Sequence, residues 1–138
     1  MNTTDKFWSL LNQRTRYFVG MNDSEKTEFI KQTINLGEQC DYNLWGHLFE
    51  FLSILVKVAP MEMKDKIAFA IISKKKLCQE YPIVISSFCN AIELTLNESS
   101  TKLKEQLSES IQELINNTTC KYSLQTLKHT ENFINNNK

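Results

Sequence analysis

His47 and Glu50 stand three residues apart, a spacing that places both on one face of a helix. There a carboxylate can orient or charge an imidazole, or the two can share a metal ion. One such pair is only half of a site. A carboxylate-bridged dimetal centre draws further carboxylates and a second histidine from facing helices, and the other histidine, His129, sits near the C-terminal end. The pair therefore reads first as the polar edge of a core helix. Glu105, Glu109 and Glu113 recur every four residues, which lines three carboxylates along one helical stripe whose mutual repulsion does not favour the helix. Such a stripe suits a basic partner, because complementary charge speeds and orients docking. These five residues are the candidate partner-binding site, with the three glutamates ahead of His47 and Glu50.

Other chemistries find little support. No Walker A motif, dinucleotide fingerprint, nucleophile elbow or His-Glu-x-x-His helix is present, and three isolated glycines do not build a phosphate cradle. Cys40, Cys78, Cys89 and Cys120 are widely spaced without a Cys-x-x-Cys pair, so they are expected to be reduced and mostly buried, with no metal or other cofactor. Sixteen basic and sixteen acidic side chains cancel, so no overall field draws the chain to nucleic acid or an anionic membrane. Arg14, Arg16 and Tyr17 lie apart from the Lys74, Lys75 and Lys76 run, which leaves no basic surface with interleaved stacking groups.

These residues must be positioned by helices. With 138 residues, 41% apolar, and only three glycines and two prolines, the chain suits one helical domain over residues 1–138 with a single core. The organising stretch is LWGHLFEFLSILVKVAP, Leu44 to Pro60, whose apolar residues occupy almost the whole wheel. It is too short and too charged to span a membrane, so it is expected as a buried helix over about 41–59, capped by Asp41 and stopped by Pro60. Gly46 inside it suggests close approach by a neighbour. Helices are further expected over about Thr4–Val19; from a capping box at Asn22 and Glu25 to Gly37; from Met61 through Leu77; from Pro82 to Leu96, with Ile83 turned inward; from Ser99 or Ser100; and from about Ser123. A frayed tail is expected from about Asn135.

The fold class is thus all-α, with about seven helices. Two packings are open: an irregular bundle around the Leu44 helix, or stacked antiparallel helical hairpins. Tyr42, Tyr81 and Tyr122 each precede an apolar helix at intervals of about 40 residues, near the length of a two-helix repeat.

The segment Asn43-Leu44-Trp45-Gly46-His47, followed by LFEFLSILV, resembles the Asn-Trp-Gly-Arg segment and central apolar helix of Bcl-2-like proteins. In that family the arginine pairs with an aspartate of a bound helix. Here a leucine intrudes before the tryptophan and His47 stands at the arginine position. The resemblance implies a regulator that binds amphipathic helices in a surface groove. As a whole, a short, Asn- and Lys-rich helical chain without a catalytic signature resembles bacterial immunity proteins. That resemblance implies stoichiometric neutralisation of a cognate toxin, often a nuclease.

The functional expectation is a non-enzymatic, cytoplasmic inhibitor of the immunity or antitoxin type, which occludes a toxin domain with a basic surface. The N-terminus MNTTDKFWSLLNQ shows no secretory leader. A helix-groove regulator and a small helical-bundle enzyme are the competing expectations.

Overall fold

The computed structural model describes Phe18 and residues 20–137. Among them lie seven α-helices, two 3-10 turns and no strand. The helices are α1 (Asp23–Gly37), α2 (Tyr42–Leu55), α3 (Met61–Ile72), α4 (Lys75–Glu80), α5 (Ile85–Leu96), α6 (Thr101–Asn117) and α7 (Lys121–Asn136). The helix expected over Thr4–Val19 falls outside the described residues except for Phe18.

Local chemistry sets the helix starts. The Asn22 side chain accepts the Glu25 N–H at 2.9 Å, and the Glu25 carboxylate accepts the Asn22 N–H at 3.2 Å, closing the expected capping box of α1. Asp41 accepts the Asn43 and Leu44 amides at the head of α2, and Ser100 accepts the Leu103 amide at the head of α6. Each cap satisfies donors that have no partner within the helix.

Packing resolves the two architectures left open by the sequence. One layer is formed by α2, α5 and α7, the other by α1, α3 and α6. Within the second layer the helices run in the same direction. Lys64 and Asp65 at the start of α3 hold Glu98 (2.6 Å) and the Ser100 amide (3.0 Å) at the start of α6, while Lys75, just past α3, pairs with Glu113 near the far end of α6. Short connections return each chain segment to the other layer, so α2/α3 and α5/α6 are stacked antiparallel hairpins. Their inner faces share one core that runs from Phe18 and Phe29 through Trp45, Phe49 and Phe88 to Leu114, Leu127 and Ile134. Phe49 lies between Trp45 and Phe88, with ring centroids at 5.2 and 5.4 Å.

α2 is the buried centre of this arrangement, but its enclosure is incomplete. Leu44, Trp45, Leu48, Phe49, Leu52 and Leu55 are buried, whereas His47, Glu50, Ile54 and Lys57 form an open stripe, with Ile54 61% exposed. Close helix approach occurs at Gly37, not at Gly46. A Cβ on Gly37 would lie 2.8 Å from both the Trp45 ring and Leu48, while one on Gly46 would meet only Ser87 Oγ at 4.0 Å. The Trp45 indole N–H also donates to the Gly37 carbonyl at 2.8 Å, which locks the end of α1 to the first turn of α2.

The expected helix from Met61 through Leu77 is broken. Ser73 Oγ bonds back to the Ala70 carbonyl, and Lys74 leaves the helical region (φ −103°, ψ 13°) before α4 begins. The lysine run therefore does not simply cap one helix end. Lys74 reaches Glu38 at 3.2 Å and lies over the Trp45 ring, and Lys75 reaches Glu113 at 2.7 Å. Phe69, on the outer side of α3, is 62% exposed. The last helix keeps its form through Asn136, just past the expected start of the tail. No helix among the described residues is long and apolar enough to cross a membrane.

Candidate functional site

α6 buries Leu107, Ile111 and Leu114 against α3 and α7, and that orientation sets its opposite face in water. Glu105, Glu109 and Glu113 are all exposed there, as the four-residue spacing requires. Their charge is uneven along the stripe. Glu113 is neutralised by Lys75, whereas Glu105 and Glu109 have no ion pair among the described residues.

His47 and Glu50 are exposed on the first turns of α2. They line a depression of about 240 Å³ together with Tyr42, Asn43, Ile83 and Ser87. α2 lies in the other layer from α6, and its main neighbour is α5. The structure therefore holds the acidic stripe and the His47–Glu50 pair as two separate surfaces. Among the described residues no group of three or more His, Cys, Asp or Glu side chains is placed to hold a metal ion.

A third feature emerges beside His47 and Glu50. α2, α5 and α7 start at one edge of their layer, so Tyr42, Tyr81 and Tyr122 come to the same edge. Tyr42 and Tyr81 stack with centroids 4.0 Å apart and planes at 10°. Pro82 opens a 3-10 turn that sends Val84 and Ile85 into the core and leaves Ile83 outside. Ile83 is 79% exposed and Tyr122 77% exposed, and they flank a second depression of about 390 Å³ with Pro82, Ser86 and Thr126. Ile83 borders both depressions and forms the crest between them. Sequence periodicity assigned Ile83 to the core because it counted helix from Pro82; the 3-10 turn changes the phase. The recurring tyrosines were the available signal for this edge.

The thiols divide by burial. Burial raises Cys78 and pushes Cys89 up to about 11, with Glu93 adding to the rise. Cys40 is raised by partial burial and by Asp41. Cys120 is exposed at the head of α7, where hydrogen bonding from Ser123 and then Tyr122 lowers its thiol below the ordinary value. All four are free, so the expectation of mostly buried thiols holds for Cys78 and Cys89 and fails for Cys120.

No protein-family model matches this chain, and comparison with curated proteins and with solved structures returns no match.

Proposed function

We propose that the protein is a non-enzymatic binding domain that engages a folded partner protein through the Tyr42–Tyr81–Ile83–Tyr122 edge. One observation carries this reading: Ile83 and Tyr122 stand largely in water, with Tyr81 partly exposed next to them, beside depressions rimmed by polar groups. Buried aromatic and aliphatic anchors inside a polar rim are the usual source of binding energy between proteins. His47, Glu50 and Asn43 form that rim here. The free carboxylates of Glu105 and Glu109 add long-range attraction for a basic surface.

The role that suits such a domain is that of an immunity or antitoxin-type inhibitor, acting in the cytoplasm by covering a cognate toxin domain. Occlusion needs shape and rigidity and no chemistry of its own. The single buried core that the stacked hairpins share supports this reading.

The test takes as partner a toxin domain encoded beside the gene for this protein, whose absence there would itself count against the reading, with affinity measured by calorimetry. Ile83→Asp and Tyr122→Ala should each weaken binding by about 2 kcal/mol or more, roughly thirtyfold, while helical content stays unchanged. Reversal of Glu105 and Glu109 to lysine should lower mainly the association rate, and less so at high salt. Full affinity in both edge variants, or turnover of a substrate by the isolated protein, would overturn the reading.

A further inference from the structure

The two depressions at the tyrosine edge differ in charge. The polar side chains of the larger one, Ser86, Tyr122, Ser123 and Thr126, carry only hydroxyl groups. The smaller one joins Tyr42 and Ile83 to Asn43, His47, Glu50 and Ser87. Glu50 supplies its one carboxylate, and no lysine or arginine lines it. That carboxylate has no hydrogen bond or ion pair among the described residues.

Neighbouring segments leave the charge in place. α5, which forms the opposite wall, has no charged residue before Glu93. On α2 the next cation is Lys57, seven residues on and about 10 Å along the helix axis. Asp41, exposed at the head of α2, adds a second negative charge beside Tyr42. The depression therefore calls for a cation. At about 240 Å³ it is smaller than sites for whole small molecules, which run to roughly 300–1,000 Å³, and its size suits one inserted side chain.

Its walls favour a guanidinium over an ammonium group. A guanidinium pairs with a carboxylate through two parallel N–H donors and lies against aromatic rings, whereas an ammonium is a compact point charge. Tyr42 supplies the ring and is held in place by its stack on Tyr81. Ile83, mostly in water, offers an apolar surface to the methylenes of the stem. Asn43 and Ser87 add oxygen acceptors for the remaining donors.

We propose that this depression is an arginine pocket: an arginine of the partner enters between Tyr42 and the Ile83 crest and pairs with Glu50. The inference rests on the reading of the edge as the contact surface and names the side chain that this part of the surface selects. Arginine is among the residues that most often dominate binding energy between proteins.

The test needs no partner. The whole protein, labelled with nitrogen-15, is titrated with N-acetyl-arginine methylamide at low ionic strength and mildly alkaline pH, and amide shifts are followed by NMR. The lysine and citrulline analogues are titrated in parallel; citrulline keeps the shape of arginine without its charge. Saturable shifts at Asn43, Gly46, His47, Glu50 and Ser87 are expected with arginine, weaker ones with lysine and none with citrulline. Glu50→Gln should weaken arginine binding about tenfold. Glu50 is exposed, so this exchange leaves the core intact. Glu62→Gln, which removes an exposed carboxylate from the other layer, should leave arginine binding unchanged. Absence of saturable shifts, an equal response to lysine or citrulline, or undiminished binding in Glu50→Gln would each overturn the proposal. The edge itself is tested by partner affinity in the Ile83 and Tyr122 variants, so either idea can fail while the other stands.

Discussion

Alanine at Gly37 and alanine at Gly46 should change stability in opposite directions, although both positions are glycines inside helices. At Gly37 the new methyl would sit 2.8 Å from Trp45 Cζ2, 2.8 Å from Leu48 Cδ2 and 3.3 Å from Trp45 Cη2, well inside the roughly 3.5–4.0 Å of a relaxed carbon contact. Leu48 can turn its methyl away. The indole cannot do so freely, because its N–H is held at 2.8 Å by the carbonyl of Gly37 itself. Relief then requires α1 and α2 to separate, which strains a bond worth about 0.5–1.5 kcal/mol net. Overpacking of this kind costs about 1–3 kcal/mol, against a gain of about 0.5–1 kcal/mol from replacing a helical glycine. With the gain subtracted from the cost, Gly37→Ala should lose about 0.5–2 kcal/mol net. At Gly46 the nearest atom is Ser87 Oγ at 4.0 Å, so only the helix term remains and Gly46→Ala should gain about 0.5–1 kcal/mol. Urea unfolding followed by circular dichroism reads both, as shifts of midpoint at constant slope. A Gly37→Ala protein as stable as the parent, or a Gly46→Ala protein less stable, would refute the assignment of the tight contact to Gly37.

Thiol chemistry gives two more tests. With iodoacetamide at neutral pH, Cys120 should react first and its reactivity should persist to lower pH than that of a free cysteine, since hydrogen bonding favours its thiolate; Cys78 and Cys89 should react only on unfolding, and Cys120→Ser should remove the fast phase. Stability should fall as pH rises above about 9, the ordinary thiol value: Cys78 and Cys89 remain protonated in the fold but ionise when unfolded, so the unfolded chain holds fewer protons in that window. The contribution of Cys89 is lost as pH passes through about 11, and the urea midpoint of a Cys78→Ala/Cys89→Ala protein should depend less on pH over the same range.

The sequence by itself determined the helices and much of what faces inward. Scarce glycine and proline, apolar residues at helical spacing, and capping residues at Asn22, Asp41 and Ser100 are local signals, and local bonding answers them directly. It also placed Glu105, Glu109 and Glu113 on one exposed stripe, because helical geometry alone puts residues four apart together. Tertiary structure decided the rest. Stacked hairpins and an irregular bundle bury similar residues, and only contacts between helices distant in sequence, such as Lys64 with Glu98, separate them. The break after Ile72 redirected Lys74 and Lys75 to Glu38 and Glu113, which neutralised one end of the acidic stripe. A 3-10 turn rotated Ile83 out of the core, and the shared edge of α2, α5 and α7 set it beside Tyr122. A surface is made by side chains from several segments, and periodicity within one segment carries no information about which others will meet it.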